Sequence, residues 1–367
     1  MKALTYLFIL SAKLLVTSGV FGKLSYANPV LYYVRKNEVI DLSDPTVTCE
    51  SWIDFPTDIH GSIGALIGNK VLICGGALNA YEIDFPKLSF NTFPEATIDK
   101  CFAMTPSNVT EISRLNMKCN IDDSSQKCAA GVVNDALFVT GGLAPWWQEW
   151  DPPKQTLKEW NKAMGETNNF KWTEYVTEHS AEQGPWQPST ASYQCFIGIN
   201  DTFSMLVGGR DPSFAQNKNT RYFNHVSQSW LDGPKLNEDH VGHACGKVKI
   251  DGKTVLVVAG SDFTYTKRYE KPFSVEFLPI DGTKWIEGPS LPSYQLPKYI
   301  APHIVTNEDN LYFIDTDQNI ILRLDCPSDL SSCQWIKMQQ KLDFGRRGGV
   351  VALIPDFMAS CVKRTEK

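Results

Sequence analysis

The sequence has little of what marks most catalysts or nucleic-acid proteins. Histidine occurs 6 times in 367 residues, and there is no HExxH helix, CxxC pair, GxSxG elbow or Gly-rich phosphate loop. Basic residues do not exceed acidic ones, 35 against 41, whereas a nucleic-acid binder needs a concentrated basic face. Beyond the amino-terminal segment, no apolar run approaches the roughly 20 residues of a membrane span. What remains is an ordinary composition, 43% hydrophobic and 11% aromatic, which excludes wholesale disorder.

The amino terminus carries the first positive signal. Lys2, the apolar run from Leu4 to Leu10 and the small residues around Ser25 and Ala27 read as a signal peptide over residues 1–27, cleaved before Asn28. Lys13 interrupts the apolar stretch and argues against a spanning anchor. All 10 cysteines lie beyond this segment, a number suited to an oxidising compartment. Asn108-Val109-Thr110 and Asn200-Asp201-Thr202 are acceptor sequons for glycosylation. Together these features predict a secreted, extracellular glycoprotein with no membrane span after cleavage.

One unit recurs along the chain: an apolar run, a polar turn, a second apolar run, then two glycines. It runs from Gly64 to Gly75-Gly76, from Ala130 through Asn134-Asp135 to Gly141-Gly142, and from Cys195 through Asn200-Asp201 to Gly208-Gly209. A fourth copy ends at Ala259-Gly260, and a fifth, from His303 to Ile314, has lost its glycines. Each unit continues into two further strands, the last marked in three copies by Trp230, Trp285 or Trp335, with Gly233-Pro234 and Pro289 to Pro292 as turn signals after two of them. The physical reading is a four-stranded antiparallel blade, with glycines where the backbone turns sharply and aromatics between neighbouring sheets.

These units resemble the kelch family of β-propellers, over essentially the whole chain from residue 28. The expected fold is an all-β, six-bladed propeller, residues 28–367 forming a single domain. Its last blade draws on both termini, with residues 28–59 supplying Val30 to Val34 as second strand, Glu38 to Leu42 as third and Glu50 to Phe55 as fourth. Residues 344–361, through Arg346 to Ile354, supply the innermost strand. Joining the ends leaves no blade with an open edge.

Antiparallel order sorts the connections onto two faces. Both sequons, Asn108 and Asn200, fall on a lower face, and the insertions from Ala77 to Asp99 and from Leu143 to Phe170 fall on the upper. The second insertion reads as a lid, partly helical from Gln155 to Met164, packing its own tryptophans. Among the cysteines, Cys326 pairs with Cys333 across one turn and Cys49 with Cys361 across the closing blade, while Cys101 with Cys119 is the remaining expected pair. Cys128, Cys195 and Cys245 begin three innermost strands and read as packed small thiols.

Long loops on a rigid ring are where binding is expected. The candidate surface is the upper face, with Trp146 and Trp147 as aromatic contacts, Arg210, Arg346 and Arg347 as a cationic rim, and Tyr265 beside them. The expected partner is an extracellular protein or glycan, with no cofactor and no nucleic acid. His240 and His243 lack an evident third ligand and read as structural, so no metal site and no catalytic residue is assigned. The alternative is an extracellular enzyme. Some kelch-like propellers resemble galactose oxidase, whose copper site of two His, two Tyr and a Tyr–Cys crosslink cannot be placed on motif positions here.

Overall fold

The computed structural model describes residues 13–17, 19–23, 30–34, 36–56, 59–78, 100–112, 128–141, 156–162, 170–176, 194–209, 218–227, 229–261, 273–292, 302–307, 309–316, 318–343, 345–346 and 348–363. These are almost entirely strand and turn; the helical pieces are single 3-10 turns at Leu330–Ser332 and Asp356–Met358.

Five four-stranded antiparallel sheets follow one another along the chain. The first is Ile63–Ile67, Lys70–Cys74, Cys101–Thr105 and Asn108–Ile112; the second is Cys128–Val133, Ala136–Gly141, Thr156–Lys162 and Phe170–Val176. The third is Cys195–Gly198, Phe203–Val207, Thr220–Asn224 and Ser229–Asp232; the fourth is Ala244–Ile250, Lys253–Ala259, Val275–Pro279 and Ile286–Glu287. The fifth is His303–Thr306, Leu311–Asp315, Ile320–Asp325 and Gln334–Lys337. The inner hairpins form where the polar turns stood in sequence. Asn134-Asp135 and Asp251-Gly252 hold positive φ at both central positions, the geometry whose twist matches the flanking strands.

Alternation along each second strand sends neighbouring side chains into opposite gaps between sheets. Leu72 and Cys74 pack with Leu137 and Val139 of the second sheet, while Val71 and Ile73 face the other way. Met205 and Val207 meet Leu256 and Val258, and Val257 and Phe277 meet Phe313 and Leu322. The tryptophans of the outermost strands do more than fill space. Trp285 Nε1 donates to Pro234 O at 2.9 Å and Trp335 Nε1 to Pro289 O at 2.9 Å, each tying a sheet to the exit of the one before. The innermost strands touch in succession around an axis, and Val351–Ile354 contacts both His303–Thr306 and Ile63–Ile67.

Between the fifth and first sheets lies a three-stranded sheet in the order Val351–Ile354, Lys13–Val16, Glu38–Asp41. Val47–Cys49 pairs at its edge with Cys361–Lys363, and Trp52 bridges to Asn37. This corrects the assignment of the second strand. Lys13–Val16 occupies it, whereas Val30–Val34 pairs with Gly19–Lys23 in a separate hairpin. Leu14, Leu15 and Val16 have no exposed surface; Leu14 and Val16 pack toward Ile314 of the fifth sheet, and Leu15 toward Val71 and Ile73 of the first. Thr17 N donates to Val350 O at 3.0 Å and Val350 N to Thr17 Oγ1 at 2.8 Å. Lys13 forms a buried ion pair with Asp41. Cleavage before Asn28 would remove this strand from the middle of a sheet.

Three other expectations change. The stretch read as partly helical, Gln155 to Met164, holds the strand Thr156–Lys162, paired with Ala136–Gly141 on one side and Phe170–Val176 on the other. Cys101 bonds Cys74 rather than Cys119, because the two stand directly opposite across adjacent strands with Cα atoms 4.1 Å apart. The thiols at the strand starts are oxidised: Cys195 bonds Cys245, linking the innermost strands of the third and fourth sheets, and Cys128 is also in a disulfide. Cys49 bonds Cys361 and Cys326 bonds Cys333, the two pairs read from sequence.

Candidate functional site

The double glycine at the end of the third sheet's second strand sets up the axial site. Gly208 sits at φ +61°, and a Cβ there would stand 2.7 Å from His240 O and 2.9 Å from the His243 ring. Only glycine leaves room for both. Gly209 N then donates to His240 O at 2.8 Å, fixing the link that carries the chain from the third sheet to the fourth.

His240 is fully buried beneath this link. Its Nδ1 donates to Gly260 O at 2.8 Å and its Nε2 faces Glu276 Oε1 at 3.2 Å. Glu276 also accepts from Asn237 N at 2.8 Å, Asn237 Nδ2 at 2.7 Å and Glu238 N at 2.9 Å. Burial by itself would raise the Glu276 pKa, but the bonds from His240, Asn237 and Glu238 outweigh it and hold the carboxyl below its ordinary value. The network accounts for His240 as structure, and it aims the next histidine inward.

His243 ends the link at the start of the fourth innermost strand, 94% buried when its 6% exposure is subtracted. The same place on the fifth innermost strand is His303, and Gln194 precedes the third. All three line one cavity on the ring axis, of about 150 Å³, with Ile63, Phe196 and Val350 among its apolar walls. Burial pulls the His243 imidazole well below its usual value, helped by nearby His240 and opposed slightly by the His240 backbone. Burial alone takes His303 to about 4. Both rings are therefore neutral at physiological pH, and no Asp, Glu, Lys or Arg is among the described residues lining the cavity.

The cavity lies at the end of the ring where each innermost strand begins. The second strands of the first and second sheets, Lys70–Cys74 and Ala136–Gly141, finish at that same end. Of the predicted binding residues, Trp146, Trp147, Arg210, Tyr265 and Arg347 lie outside the described residues. Arg346 is described, and it is not part of a solvated rim. It has no exposed surface, pairs with Glu38, and donates through Nη1 to Thr17 O at 3.1 Å and Lys36 O at 2.6 Å. Its function is to lock the closing sheet.

Gln194 and His303 went unassigned in the sequence. The available signal was positional: the fifth repeat begins at His303 as the fourth begins just after His243. Asn108 and Asn200 are both exposed on tight turns at the opposite end of the ring from the cavity. Among the described residues, no group of three or more His, Cys, Asp or Glu side chains gathers as a metal site.

The fold is a β-propeller. Among solved structures, the one titled "Structure of YjhT" superposes with a TM-score of 0.56 at 10% identity, covering 87% of this chain and 97% of that one. At that identity the likeness concerns the fold alone. No protein-family model and no curated protein matches the sequence.

Proposed function

We propose that this chain is a secreted, six-bladed kelch-type propeller that acts as an extracellular binding scaffold rather than as an enzyme. In this reading the three-stranded sheet and the pair Val47–Cys49 with Cys361–Lys363 make up the sixth blade. The supporting observation is the Cys49–Cys361 disulfide, which joins strands 312 residues apart and covalently fastens the ring where the two ends of the chain meet. A fastening of that kind belongs to an oxidising compartment. With glycans on Asn108 and Asn200, the cavity's face stays clear for a protein or glycan partner.

Expression with its own leader in eukaryotic cells tests the reading. The expected product is in the medium, loses mass on glycosidase treatment, carries no stoichiometric copper or iron, and saturably binds a component of a glycan array or a cell surface. Retention in the cytosol with reduced cysteines would overturn secretion. Stoichiometric copper with oxidase activity would overturn the scaffold in favour of an extracellular oxidoreductase.

A further inference from the structure

The axial cavity holds polar atoms that the fold leaves unused. Gln194 Oε1 and Nε2 of His303 are shielded from solvent and make no hydrogen bond, and the His243 ring nitrogens, equally shielded, have at most a poorly aligned contact with the His240 backbone. They come from three successive sheets and line the same cavity. A buried polar group left unpaired costs about 1–3 kcal/mol, and native folds rarely carry several in one place without something to satisfy them. The penalty is not recovered within the ring.

We propose that this cavity binds a small uncharged polyhydroxyl ligand, a monosaccharide or cyclic polyol, whose hydroxyls complete the hydrogen bonds of Gln194, His243 and His303.

The chemistry of the lining selects that class. A charged guest would enter a site with no described counter-charge and lose its hydration without compensation. A neutral imidazole offers one N–H and one lone pair, and Gln194 Oε1 offers only an acceptor. A carboxylate accepts without donating, so it leaves Gln194 and the imidazole lone pairs unmet. An ammonium donates without accepting, so it leaves the imidazole N–H groups unmet. A hydroxyl does both. The apolar walls at Ile63, Phe196 and Val350 suit the C–H faces of a ring polyol. The volume of about 150 Å³ limits the guest to a single small ring. This site acts whether or not the surrounding loops hold a macromolecule, so it stands apart from the scaffold reading.

The test is calorimetric titration of the full, disulfide-intact chain at neutral pH with D-glucose, D-galactose, D-mannose and myo-inositol, using D-glucuronate and D-glucosamine as charged counterparts. Side-chain nitrogen spectra of the histidines are recorded alongside. The expected result is saturable binding of a neutral member that shifts the His243 and His303 ring signals, with the charged counterparts at least tenfold weaker. His243→Phe and Gln194→Met should each weaken binding about tenfold, equivalent to 1.4 kcal/mol. Should His243→Phe fail to fold, Gln194→Met carries the test, since Gln194 precedes its strand. The proposal is overturned if no neutral member moves the ring signals at about 10 mM, which leaves water as the occupant. It is equally overturned if a charged counterpart binds more tightly, or if binding survives both substitutions.

Discussion

Arg346 and Glu38 form an ion pair sealed inside the closing sheet, with the guanidinium wholly out of solvent. Glu38 Oε2 also accepts from Asp343 N at 2.7 Å, so the pair binds the approach to the last innermost strand to the amino-terminal part of the chain. Burial draws Arg346 down to about 10, which still leaves it charged at neutral pH. Removing one member strands the other in a dry site. Arg346→Ala should therefore cost about 3 to 5 kcal/mol in urea unfolding, and a combined Arg346→Met and Glu38→Leu change should cost much less. Equal losses for single and double variants would reject the pair as the source.

The buried strand Lys13–Val16 makes a prediction about the amino terminus. A chain beginning at Asn28 loses the partner of both Val351–Ile354 and Glu38–Asp41, leaving two open edges and an unpaired Asp41. It also loses three fully buried apolar side chains, each contributing about 1.5–3 kcal/mol. Such a chain should aggregate, whereas one beginning at Lys13 should fold. Amino-terminal sequencing of secreted protein should place any processing before Lys13. A stable, monodisperse product starting at Asn28 would show that another segment replaces the strand.

These cases mark how far the sequence can be read. The double glycines and outer tryptophans were legible because each answers a local demand, a backbone turn or a gap between sheets, that recurs with every blade. Leu14, Leu15 and Val16 read as part of a leader because a leader and a buried central strand ask for the same apolar residues. Cys74 with Cys101 depends on register across a long insertion, which spacing does not encode. Arg346 looked like surface charge because buried arginine is rare, and its partner Glu38 is near only once the ends of the chain are joined. His303 and Gln194 gain meaning only from sharing the axial cavity with His243.

The Cys49–Cys361 bond makes a separate prediction. The two residues are directly paired on adjacent strands, with Cα atoms 3.9 Å apart, and Glu50 N donates to Ser360 O at 2.8 Å beside them. The covalent link limits the freedom of the unfolded chain over almost its full length. Replacing both with serine should lower stability by about 2 to 4 kcal/mol while leaving the fold intact. Denaturant midpoints of wild type and double variant measure the loss, and a non-reduced digest should release the two terminal peptides joined. Recovery of either cysteine as a free thiol in native protein would exclude the bond.

Stability should also fall in mild acid, well before the carboxylates titrate. In the unfolded chain His243 and His303 take up protons near pH 6.5. In the folded ring burial holds His303 to about 4 and keeps His243 well below its ordinary value, helped by nearby His240. Between those limits the unfolded state binds more protons, so stability rises with pH there. It is complete above about 6.5 and is lost progressively as pH falls toward 4. Glu276, held below its ordinary value by its hydrogen bonds despite burial, adds a further loss only below the usual glutamate range. Denaturant midpoints taken from neutral pH down to the carboxylate range should show this decline, and His303→Phe should flatten it. A midpoint independent of pH across that window would mean that the imidazoles are charged or solvated in the native ring. The same result would remove the neutral donor and acceptor pairing on which recognition of a polyol depends.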